Sequence, residues 1–265
     1  MITYTKPRRA PQEAGFSLIE MMAVVFVLLL LVGFLAPAMI SLKSAGDLTK
    51  SANEVAGALE QARNYAMANK TFVWVGIREV DISKDPSASP QTSGAGRLAI
   101  ATVASKDGIR GYDVTNSSLP LPAWTSYNNG AGLLPVGKLQ HLENIHLATT
   151  LNGFGKQPPT SGNMARPYIQ SNYYVIGTSE SGTCVTPFDW PLGSALAGGQ
   201  YSFQSVVNFD PQGVARIQYS TNNDFIGTYI EVGLQQTHGT VVSSSPNVVA
   251  VQINCVTGAI RVYRP

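Results

Sequence analysis

Between Phe16 and Ile40 the chain carries one charged side chain, Glu20. A span of about 20 apolar residues is what a membrane-crossing helix needs, and Met21–Ile40 supplies it. Lys6, Arg8 and Arg9 lie before it. By the positive-inside rule they keep the N-terminus cytoplasmic. A plain anchor and a secretory signal peptide both fit this much, and Ala36-Pro37-Ala38 imitates the small-residue cleavage site of the latter. Neither accounts for a carboxylate near the start of the run. An ionisable residue at membrane depth is costly and marks a functional position unless it sits among the headgroups.

The stretch "GFSLIE", Gly15 to Glu20, resembles the processing site of type IV pilins and type II secretion pseudopilins. The likeness covers the short basic leader, Gly15 before the cut, Phe16 after it, Glu20 at the fifth mature position and the apolar run. Pro37 falls where many pilins have a helix-kinking proline. The resemblance implies cleavage after Gly15 by a prepilin peptidase that also N-methylates Phe16, with the apolar segment retained. It implies other pilin or pseudopilin subunits and an inner-membrane assembly platform as partners. The location implied is the bacterial inner membrane, crossed once, with the head in the periplasm or on a pilus or pseudopilus.

Cleavage there would create a positive amine one helical turn before Glu20. In a nearly water-free bundle of helices, the Glu20 carboxylate can pair with the Phe16 amine of a neighbouring subunit. Such a buried pair adds little net stability, yet removing one member strands a charge at a cost of several kcal/mol. It would therefore set register between subunits. Pro37 removes one helical hydrogen bond and crowds the preceding turn, so a kink is expected there.

Beyond Ile40 the sequence turns polar but keeps an apolar stripe. Leu48, Ala52, Val55, Leu59, Ala62 and Ala66 recur at alternating four- and three-residue steps, one face of a helix. The spacing predicts a helix from about Phe16 to Asn69. Strands are predicted at Thr71–Ile77, Arg97–Val103, Asn144–Thr150, Tyr173–Ile176, Tyr201–Phe209, Val214–Ser220, Thr228–Leu234, Val248–Asn254 and Ala259–Tyr263, each rich in β-branched or aromatic residues. Asp210-Pro211-Gln212-Gly213 and Thr257-Gly258 read as hairpin turns. The expected fold class is α+β: a long N-terminal helix, membrane-spanning in its first half, packed by its second half on a C-terminal antiparallel β-sheet head. The expected organisation is a leader at 1–15, a transmembrane or filament-core helix at 16–40, an amphipathic continuation at 41–70, and a β-rich head at 71–265 with an irregular insertion at about 82–200. The helix-to-strand passage "LEQARNYAMANKTFVWV", the "FDPQG" turn and the C-terminal hairpin are similar to H-type minor pseudopilins and FimT-like pilins. "SAGDLTKSANEVAGALEQAR" is similar to the Verrucomicrobia-type pilin-like cassette proteins of the D type.

Charged residues are only 13% of the chain, and beyond Gly15 basic and acidic residues balance. A neutral head has no broad attraction for nucleic acid. Arg261 and Arg264 beside Tyr263 could hold a single strand, but two arginines form a small patch, and nucleic acid is not expected as a partner. Cys184 and Cys255 match no metal or redox spacing. Outside the cytoplasm they could form a disulfide, stabilising by about 4 kcal/mol in the chain-entropy model. The alternative, two buried thiols, stays open.

Catalytic patterns are weak. "GLLPVGKL" has Gly132, Gly137 and Lys138 at phosphate-loop spacing, but Leu139 replaces the required hydroxyl residue. "GTSESG", Gly177 to Gly182, does not have nucleophile-elbow spacing. His141 and His146, with Glu143 between, do not form the zinc-binding helix pattern, and His238 stands alone. No catalytic residue, metal or cofactor is expected. The chain therefore reads as a structural, minor pilin-like subunit assembled into a pilus or pseudopilus. The competing reading is an anchored binding module whose head captures DNA, polysaccharide or a secreted substrate. A tethered enzyme comes third.

Overall fold

The computed structural model describes residues 16–108, 132–148, 166–167, 173–176, 183–193, 199–220, 223–225, 227–243 and 247–264. The chain divides into two compact units, Met1–Lys43 and Ser44–Pro265.

Helix α1 runs Leu18–Asn69, so its end is the one the stripe predicts and its start lies two residues later. It stops through a Schellman-type turn. Lys70 takes a left-handed conformation (φ 50°), and the Thr71 amide reaches back to the Ala66 carbonyl at 3.1 Å. That bond satisfies a carbonyl the helix itself cannot. The chain then passes directly into a strand.

Among the described residues thirteen strands follow: β1 Val73–Asp81, β2 Gly96–Ser105, β3 Leu133–Pro135, β4 Gln140–Leu147, β5 Tyr173–Ile176, β6 Thr183–Trp190, β7 Tyr201–Phe209, β8 Ala215–Ser220, β9 Asn223–Phe225, β10 Tyr229–His238, β11 Val241–Val242, β12 Val248–Asn254 and β13 Ile260–Tyr263. They form one sheet in the order β13-β12-β10-β4-β2-β1-β7-β8-β9, with β11 and β5 joined to β10, β3 to β2 and β6 to β7. Pairing is antiparallel except between β5 and β10. Short strands tile the edges of long ones. Along one edge of β2, β4 covers Gly96–Ile100 and β3 covers Val103–Ser105.

In the Ser44–Pro265 unit the predicted stripe is the packing face. Leu48, Ala52, Val55, Leu59, Ala62 and Ala66 are all buried, against Val73, Val75 and Ile77 of β1, Leu98 and Ile100 of β2, and Ile230, Val232 and Leu234 of β10. These strand residues alternate, as a sheet with one face on a helix requires. Over the centre of the sheet the opposite face is buried too. Trp74, Ala99, Ala101, Val103, Phe188, Tyr201 and Phe203 form a second core, which is why all ten residues of β2 are buried. Gly76 makes that core possible: a Cβ there would lie 2.6 Å from the rings of Phe188 and Phe203.

The sheet curls. The Ala215 amide at the start of β8 donates to the Cys255 carbonyl just past β12 at 2.8 Å. Those strands stand near opposite ends of the strand order. Phe209, Ala215 and Ile217 share the helix-side core with Ile253 and Cys255.

The protein is thus mixed helix and sheet, with an N-terminal helix and a large curled, mainly antiparallel sheet. The span 82–200, expected as an irregular insertion, contributes β2 through β6 to that sheet. The membrane-spanning character of the first half of α1 is not shown: among the described residues no helix is long and apolar enough to cross a membrane. The side chains of residues 34–45 lie outside the described residues, and the expected kink at Pro37 falls among them.

Candidate processing and assembly site

Phe16 and Ser17 precede the helix in non-helical conformation. Ser17 is its N-cap. The Ser17 carbonyl accepts the amides of Glu20 at 3.0 Å and Met21 at 3.2 Å. The Glu20 side chain turns back, and its Oε2 accepts the Ser17 amide at 2.8 Å. This is one half of a capping box, the arrangement that S-x-x-E sequences favour because a helix start leaves amides without intrahelical partners. Glu20 therefore has a partner within its own chain. A carboxylate at this position also meets the positive end of the helix dipole. Gly15, on the other side of the expected cleavage point, lies outside the described residues.

From Met21 to Gly33 the helix is apolar all round. Phe16 is 83% exposed, Met22 65%, Phe26 63% and Leu29 66%. The consecutive residues Leu28, Leu29, Leu30 and Leu31 are each about half exposed or more, so no face of this segment is covered by its own unit. A helix that is hydrophobic on every face is stable only inside a larger apolar environment, either lipid or a bundle of like helices.

Cys255 is a free, fully buried thiol. The possible Cys184–Cys255 disulfide involves a side chain outside the described residues, that of Cys184 in β6. Burial pushes the Cys255 thiol up to about 12, against a smaller opposing hydrogen bond at Gly227.

The head holds several buried polar contacts that sequence spacing did not flag. The buried Glu79 carboxylate accepts the amides of Gly96 at 3.1 Å and Leu147 at 3.2 Å. His146 Nδ1 lies 2.9 and 3.0 Å from its two oxygens. Arg97, also buried, holds Glu143 at 3.0 Å and the carbonyls of Ile82 and Lys84. Glu231 is completely buried on β10, paired with Arg166 and bonded by Gln252 at 2.8 Å. Burial pushes the Glu231 carboxyl above its ordinary value, and Arg166 opposes this. Tyr201 Oη and His141 Nε2 are 2.8 Å apart. Burial lowers the His141 pKa and raises that of Tyr201, so both neutral forms are favoured.

These contacts pin strands together. Among the described residues no group of three or more His, Cys, Asp or Glu side chains could hold a metal ion. His141 and His146 have separate partners, and His238 ends β10 exposed. In the phosphate-loop-like stretch, Leu133–Pro135 is β3, paired along the edge of β2, and strand β4 follows it. Gly177–Gly182 lies outside the described residues. At the C-terminus Arg261 and Arg264 are exposed, while Tyr263 packs against Val248 and Ala250 of its own sheet.

Residues 11–36 match the protein-family model described as the prokaryotic N-terminal methylation motif. The match spans the Gly15–Phe16 bond, the Ser17–Glu20 cap and most of the apolar run. No curated protein matches the chain, and no solved structure does.

Proposed function

We propose that this chain, whose methylation motif points to a type IV pilin-like protein processed by a prepilin peptidase, is a minor pilin or pseudopilin subunit. The peptidase cuts between Gly15 and Phe16 and methylates the new Phe16 amine. The apolar helix stays on the mature chain. It holds the subunit in the inner membrane, crossing it once, and then enters a bundle of similar helices in a type IV pilus or type II secretion pseudopilus. The head faces the periplasm or the filament surface. In the bundle the Glu20 carboxylate meets the Phe16 amine of a neighbouring subunit and fixes the axial register, while Pro37 bends the helix.

The observation that carries this reading is the motif over residues 11–36. Its physical support is the segment it covers. A capped helix start is followed by apolar side chains exposed on every face, which need a hydrophobic surrounding their own unit does not supply. The motif points to a structural subunit rather than an enzyme.

The test compares cells with and without the prepilin peptidase. The proposal expects the chain to be shorter by the leader only when the peptidase is present, and to co-fractionate with filament subunits. A chain of the same length in both strains would contradict it.

A further inference from the structure

We draw no further inference here: the strongest candidate, the buried Glu231–Arg166–Gln252 cluster on β10 and β12, leaves Glu231 Oε2 without a hydrogen-bond partner, but the residues flanking Arg166–Pro167 lie outside the described part of the chain and nothing in the structure shows what covers the cluster or what it would bind.

Discussion

Gly213 and Gly258, from two hairpin turns far apart in sequence, are stacked so closely that a Cβ on Gly258 would lie 2.0 Å from the Gly213 carbonyl oxygen. Both glycines have left-handed backbones, at φ 81° and φ 65°. Arg63 of α1 lies against both, and Met67 against Gly213. The helix, the β7–β8 turn and the β12–β13 turn are thus fastened at one point.

Gly258→Ala is expected to lower stability by about 3 kcal/mol, combining a strained left-handed alanine with a backbone clash that no side-chain movement relieves. Gly57→Ala on the same helix is the control: nothing lies within 4 Å of a Cβ there, and alanine favours a helix by about 1 kcal/mol over glycine. Denaturant unfolding of the full chain in detergent measures both. Equal stabilities for the two variants would refute the stacked-turn geometry.

Glu231 and Arg166 give a second test. Arg166→Met leaves a fully buried carboxylate without its cation, and a loss of about 3–5 kcal/mol is expected at neutral pH. The Glu231 carboxyl is already raised by burial, so the folded state binds its proton more tightly than the unfolded chain does. Its contribution is therefore greatest below the unfolded value and is lost as pH rises through the folded one. Glu231→Gln removes this slope. The stability difference, wild type minus variant, should fall as pH rises from about 4, the unfolded carboxyl value, toward neutrality. A difference independent of pH would contradict the direction of the shift.

Cys255 should resist thiol reagents in the native protein at pH 8. A thiol raised to about 12 by burial offers almost no thiolate at that pH. Unfolding without reductant should then expose it to labelling. If unfolding yields no reactive thiol at Cys255 while prior reduction does, the cysteine is bonded and the free thiol of the structure is wrong.

Glu20 can be separated into its two roles. Glu20→Ala removes the acceptor for the Ser17 amide. It should speed amide hydrogen exchange at the helix start, consistent with loss of a cap of about 1 kcal/mol. Glu20→Gln keeps an acceptor oxygen but not the charge. If the register between subunits depends on the charge, both variants are processed but enter filaments poorly. Normal incorporation of Glu20→Gln would leave the cap as the whole of Glu20's contribution.

Much of this architecture is written locally. Every residue of the stripe from Leu48 to Ala66 is buried, because helix periodicity decides which side chains share a face. The bounds of β5, β7 and β12 are the expected ones, in stretches rich in β-branched and aromatic residues. Strand β6 was not visible in sequence, since "TCVTPFDW" contains a proline and an aspartate that disfavour strands. Strand β4 begins before the expected Asn144, because its polar "QHLE" half pairs in unbroken register with Arg97–Ile100 of β2, and the register shift falls after it, at Asn144. The Glu20 cap is legible in the S-x-x-E spacing of Ser17 and Glu20. The buried acids were not legible at all. His146 lies 67 residues from Glu79, and Arg166 lies 65 from Glu231. No spacing rule spans such distances; only the sheet topology brings the partners together.

The most direct test of the central claim is the N-terminal sequence and mass of the mature protein isolated from membranes. Retention of the apolar helix predicts a chain beginning at N-methylated phenylalanine, Phe16. A mature chain beginning after Ala38, released from the membrane, would contradict it.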